Sequence, residues 1–140
     1  MRFTEAGLVF LVLAVPIAPA APQASDIVVR GVAARTEIER ILEADNVDTS
    51  RLSSRAVAEA LATIDRGGAP NDFWAAYQVH VAAWVRLADV ETALSKHRVP
   101  MPEDVKTLAI AEAAIGESFD QVERIARRYG ARLPTPRWRM

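Results

Sequence analysis

The sequence predicts an all-α fold: an antiparallel up-down four-helix bundle, or alternatively a three-helix core carrying a loose first helix. Three observations lead there. Apolar residues recur at spacings of three and four along most of the chain between residues 26 and 130. Gly67-Gly68 and Val99-Pro100-Met101-Pro102 punctuate that run as helix stops. No stretch sustains the period-two alternation of a half-buried strand.

The chain begins with an address. Residues 1–20 read MRFTEAGLVFLVLAVPIAPA: Arg2 gives a short charged start, Ala6 to Val15 an apolar run, and Pro16 and Pro19 end any helix. Ala18-Pro19-Ala20 is the small-x-small pattern of a signal-peptidase site, so residues 1–20 are expected to be a signal peptide cleaved after Ala20. The run is shorter than the roughly 20 apolar residues of an ordinary span. Glu5 weakens the charged start, and a retained N-terminal anchor is the alternative. Residues 21–25 then form a short leader, 26–130 the helical domain and 131–140 an Arg-rich extended tail. The expected location is periplasmic or secreted.

The first helix is expected to start at Ser25 or Asp26 and run to about Ala44, with Val28, Val32, Ile38, Ile41 and Leu42 as its apolar stripe. Asp45-Asn46-Val47-Asp48 reads as a turn. A second helix follows from Ser50 or Ser54 to Arg66, with Val57, Ala60, Leu61 and Ile64 on one face. The third opens at Pro70-Asn71-Asp72, capped by Asn71 or Asp72, and continues to about His97. Pro102 suits the first turn of a fourth helix, with Glu103 and Asp104 at its positive end; Gly130 is its expected stop. The last two helices carry the clearest seam. Phe73, Tyr77, His80, Trp84, Leu87, Glu91 and Leu94 recur at helical spacing, as do Val105, Leu108, Glu112, Ile115, Phe119, Val122, Ala126 and Tyr129. Val79, Val81 and Val85 lie off the seam and require cover from the first two helices.

Composition narrows the chemistry. The 140 residues suit one domain, and 51% hydrophobic with 25% charged is a globular balance. With no cysteine there is no disulfide, thiolate metal site, c-type haem attachment or lipidated Cys. A net charge of −1 gives no electrostatic case for nucleic acid. The fifteen arginines against two lysines are also what a GC-rich genome produces.

Three polar residues fall in the seam. Glu91 lies nine residues before Pro100 and Glu112 twelve after it, so a helical hairpin brings them to similar heights. Either they converge indoors, where they would bind a cation or raise one pKa, or the helices rotate and both reach water. His80, among Tyr77, Val81 and Trp84, is either a packed core residue or a third ligand; about 16 Å of helix rise separates it from Glu91. Glu91, Glu112 and His80 are thus the weak metal candidates. Neither the Glu-x-x-His pairs of di-iron bundles nor His-Glu-x-x-His is present. No cofactor is expected. Nor is a catalytic residue: Ser53, Ser54, Ser95 and Ser118 have no nucleophile elbow.

Trp74 stands off the seam, either under the second helix or exposed as a contact. From Arg124 to the end the chain has six arginines and no acid, while residues 21–123 carry ten basic and seventeen acidic side chains. Arg127, Arg128, Arg132, Arg137, Trp138 and Arg139 are therefore candidate contacts with an envelope protein or an anionic membrane surface. The alternatives are folding back onto the acidic body and a solvated helix end, helped by its dipole, with a frayed tail.

The stretch PNDFWAAYQVHVAAWVRLADVE, with QVERIARRYG downstream, resembles segments of small exported α-helical proteins of Gram-negative bacteria without assigned function. The resemblance spans about residues 70–130. It implies export and a helical fold, and supplies no active-site residues. The function expected is a non-enzymatic binding or interaction protein of the cell envelope. The alternatives are a bundle binding a small ligand or metal through the seam carboxylates, and an enzyme using the same carboxylates as acid and base.

Overall fold

The computed structural model describes residues 24–97, 99 and 101–136, with side chains from residue 28 onward. The expected signal peptide and cleavage site lie outside the described residues, as do Arg137, Trp138 and Arg139.

The all-α fold is what the structure has. Helices α1 (Ala24–Asp45), α2 (Ser54–Ala62), α3 (Asn71–Leu94) and α4 (Pro102–Arg128) are joined by short loops, one containing a 3-10 turn at Thr49–Arg51. There is no strand among the described residues. A four-helix bundle is compatible with these elements. None of the helices in the described residues is long and apolar enough to cross a membrane.

Local chemistry explains the boundaries. Ser53 caps α2 by accepting the Ala56 N–H at 3.2 Å. The helix stops at Ala62, short of the expected Arg66, where Thr63 and Ile64 tighten onto the carbonyls of Ala60 and Leu61. Neither Asn71 nor Asp72 caps α3: Pro70 holds the cap position without a side-chain bond. Asp72 instead ties the start of α3 to the end of α4, accepting from the Tyr129 hydroxyl at 2.9 Å and Arg128 at 3.2 Å. Pro102 opens α4 as expected, and Asp104 reaches back to the Met101 N–H at 2.9 Å. Gly130 adopts φ 69°, and the Ala131 N–H returns to the Ala126 carbonyl at 3.1 Å. That six-to-one bond is a Schellman stop, completed by burial of Ala131.

The core gathers the C-terminal half of α1 (Ile38, Ile41, Leu42), one face of α2 (Val57, Leu61), the first half of α3 (Phe73, Ala76, Tyr77, Val81) and the last turns of α4 (Val122, Ile125, Ala126). Asp72 beside Tyr129 and His80 beside Ser118 fix α3 and α4 as antiparallel neighbours. Ser54 with Glu91 and Arg55 with Asp89 place the start of α2 beside the last turns of α3.

Apolar cover is incomplete. Val28, Val29 and Val32 are at least half exposed, so only the second half of the predicted α1 stripe is buried. Val81 is buried, but Val79 and Val85 stay 61% and 37% exposed. Helix α2 has nine residues against the 24 of α3 and cannot cover its whole length.

Gly67 takes φ 50°, a left-handed conformation that costs a side chain roughly 1–2 kcal/mol. A Cβ there overlaps the Glu37 carboxylate, which pairs with Arg40. Gly67→Ala is therefore expected to lower unfolding free energy by about 1–2 kcal/mol in a urea titration.

Candidate functional site

His80 is buried, 3% exposed. It sits midway along α3 in an aromatic column. Trp74 stacks on Tyr77 at 5.5 Å between centroids, Tyr77 lies 6.5 Å from His80, and His80 packs 5.1 Å from Phe119 and 6.5 Å edge-on to Trp84. The three-and-four spacing along α3 builds the column; Phe119 joins it from α4. Trp74 is half-buried against the core.

The polar groups around His80 have defined roles. The indole N–H of Trp84 only donates, so its 3.3 Å bond makes His80 Nε2 an acceptor. The hydrogen is then on Nδ1, which donates to Ser118 Oγ at 3.0 Å. Ser118 in turn donates to the Ile115 carbonyl at 2.9 Å. Burial holds the imidazole neutral, lowering its pKa to about 4.

Asp45, the last residue of α1, comes within 3.9 Å of His80 Nε2. Its side chain is 8% exposed and accepts a 3.2 Å hydrogen bond from the Tyr77 hydroxyl. Desolvation raises the Asp45 pKa to about 6, partly offset by that bond. Burial also pushes the Tyr77 phenol up, so it remains a neutral donor. With a neutral imidazole the 3.9 Å approach is no salt bridge, and no arginine or lysine pairs with Asp45 among the described residues.

Ser118, His80 and Asp45 thus resemble a nucleophilic triad in composition and differ from one in hydrogen-bond direction. A general base must turn a lone pair toward the hydroxyl it activates. Here the imidazole turns an N–H toward Ser118, the serine proton goes to a backbone carbonyl, and Trp84 occupies the remaining nitrogen lone pair. The arrangement suits a fixed polar floor and not acyl transfer.

Above this floor is a cavity of about 270 Å³. Leu42 and Asp45 of α1, Val57 and Leu61 of α2, His80 and Trp84 of α3, and Ile115 and Phe119 of α4 line it. Its outer wall is the segment after α4, through Leu133, Pro134 and Pro136. Bonds to α1 and to the residue after it hold that segment: the Arg132 N–H donates to Glu39 at 2.9 Å, and Asn46 Nδ2 donates to the Thr135 carbonyl at 2.8 Å. Gly116 stands at the rim, and a Cβ there meets nothing within 4 Å. Since glycine inside a helix costs about 1 kcal/mol relative to alanine, Gly116→Ala is expected to raise unfolding free energy by about 0.5–1 kcal/mol, read from the denaturant midpoint.

The residues singled out in the sequence are dispersed. Glu91 and Glu112 are both exposed, and Glu91 accepts a 2.8 Å hydrogen bond from Ser54. Of the two arrangements the sequence allows, both carboxylates reach water, and neither lines the cavity with His80. Among the described residues no group of three or more His, Asp or Glu side chains is placed to hold a metal. Arg127 pairs with Glu123 at 2.8 Å, Arg128 with Asp72, and Arg132 is exposed.

Asp45 and Ser118 were missed as site residues. The signal was present: Asp45 continues the Ile38, Ile41, Leu42 stripe, and Ser118 falls between Ile115 and Val122 at helical spacing.

No protein-family model, curated protein or solved structure matches the chain.

Proposed function

We propose that the protein is an exported, non-catalytic binding protein of the cell envelope that takes a small, mostly apolar ligand into the cavity above His80. The observation that carries this reading is the cavity itself. Ligand pockets start at about 300 Å³ and combine apolar walls with a few fixed polar groups. The 270 Å³ space has that make-up, with Leu42, Val57, Leu61 and Phe119 as walls and Asp45, His80 and Trp84 as its polar end. The hydrogen-bond directions at Ser118 favour binding over catalysis. Export rests on the N-terminal sequence. Because the segment after α4 is a cavity wall, the Arg-rich end has an intramolecular use; contact with an envelope protein or anionic membrane surface falls to Arg132, Arg137, Trp138 and Arg139.

Indole and toluene are suitable apolar probes. Titration into the protein should shift the backbone amide NMR signals of Trp84, Ile115 and Phe119. Gly116→Leu, which fills the rim, should abolish those shifts while leaving the helical circular-dichroism spectrum unchanged. Absence of any response to either probe, or an unchanged response in Gly116→Leu, contradicts the reading. N-terminal sequencing of protein recovered from the envelope fraction should begin at Ala21.

A further inference from the structure

We propose that the ligand is a compact organic cation, a protonated amine on an aromatic or branched apolar body, whose ammonium group pairs with Asp45 at the floor of the cavity. This deepens the binding reading above and rests on it.

The charge inventory of the cavity is one-sided. Its described lining residues include Asp45 and Glu123 and no lysine or arginine. Glu123 already has a counter-ion in Arg127 at 2.8 Å. Asp45 has none among the described residues: its neighbours are the Tyr77 hydroxyl and the imidazole of His80, whose Nε2 offers a lone pair and already accepts from Trp84. A carboxylate whose side chain is 8% exposed is costly to keep ionised without a positive partner. Burial accordingly pushes the Asp45 pKa up to about 6. A cation entering from the cavity supplies the missing charge and takes hydrogen-bond acceptors from a group already held in place by Tyr77.

The walls fit the rest of such a ligand. Trp84 and Phe119 supply aromatic surface near the acid, where cations and aromatic rings attract one another. The volume limits size. An apolar cavity of about 150 Å³ takes benzene, so 270 Å³ accommodates about ten non-hydrogen atoms. An anionic ligand is disfavoured by Asp45 itself.

Phenethylamine and its neutral isostere 2-phenylethanol separate charge from shape. Isothermal titration of the purified protein at pH 7.5 should give a Kd for the amine at least tenfold below that of the alcohol. Asp45→Asn should bring the two to parity. In the wild-type protein the amine's advantage should shrink as pH falls from 7.5 to 5, where Asp45 takes up a proton, while alcohol binding stays constant; this holds the test open if the variant folds poorly. Equal affinities in the wild type overturn the cation inference and leave the pocket reading standing. An amine preference that survives in Asp45→Asn also overturns it. Binding of neither compound also overturns the cation inference, and the pocket reading then stands or falls with indole and toluene.

Discussion

Asp45→Asn is expected to make stability climb with pH by about 3 kcal/mol between pH 4 and 6.5, whereas His80→Gln is expected to make it fall by a similar amount between pH 4 and 6. The signs follow from the two buried groups. The fold raises the Asp45 pKa from 3.8 to about 6, so it favours the protonated carboxyl. That contribution is present below pH 3.8 and disappears as pH rises through 6. The fold lowers the His80 pKa from 6.5 to about 4, so it favours the neutral ring. Stability from this source is present above pH 6.5 and is lost as pH falls toward 4. In the wild type the opposed slopes nearly cancel over that window. Each substitution removes one of them and exposes the other. Urea denaturation at half-unit steps from pH 4 to pH 7 measures this directly. Slopes of the same sign in both variants would show that the two groups do not titrate as the buried network requires.

Tyr77→Ala should cost about 3–5 kcal/mol, the range for truncating a buried aromatic side chain. Tyr77 is fully buried, stacks with Phe73 and Trp74, and is the donor to Asp45. Typical domains are stable by about 5–15 kcal/mol, so the truncation consumes much of the margin. Tyr77→Phe separates the two roles. It keeps the ring and deletes the hydroxyl, with an expected cost of about 1–2 kcal/mol. It also removes the one interaction that lowers the Asp45 pKa, so the Asp45 titration should move higher still. Denaturant midpoints for both variants, with the carboxyl followed by carbon NMR, provide the test. A Tyr77→Phe variant as damaged as Tyr77→Ala would place the importance of Tyr77 in its hydroxyl and not in its packing.

Helix positions were legible because their determinants are local. Pro102, Gly130 and the loop from Ser95 to Met101 mark ends through backbone chemistry that needs no tertiary partner. The seam was half legible. Spacing tells which side chains share a face, and Phe73, Tyr77, His80 and Val122 are buried on it. Spacing does not tell how much of that face finds cover. Helix α2 meets the last turns of α3 through Ser54 and Arg55, whose polar contacts leave Glu91 and Asp89 exposed, and among its described side chains α1 contributes only Ile38, Ile41 and Leu42 as buried apolar residues. Glu91 and Glu112 are left in water.

The site was least legible because it is assembled from the ends and middles of different elements. Asp45 reads as a turn residue, and its carboxylate enters the interior only because the α1 stripe runs one turn further than its apolar members. Residues 131–136 read as tail; the Schellman stop at Gly130 turns them back so that Leu133 and Pro134 close the cavity. A stop signal is visible in sequence, but the direction in which the chain leaves it is set by what it then packs against.

The binding floor and the opposed pH slopes share one premise: His80 is neutral, carries its hydrogen on Nδ1 and leaves Asp45 without a positive partner. Two-bond proton–nitrogen correlation NMR of the imidazole from pH 4 to pH 8 reads that state directly. The expected spectrum has a protonated Nδ1 and an unprotonated Nε2, unchanged until pH approaches 4. A ring protonated on both nitrogens near pH 6, or one carrying its hydrogen on Nε2, would contradict it.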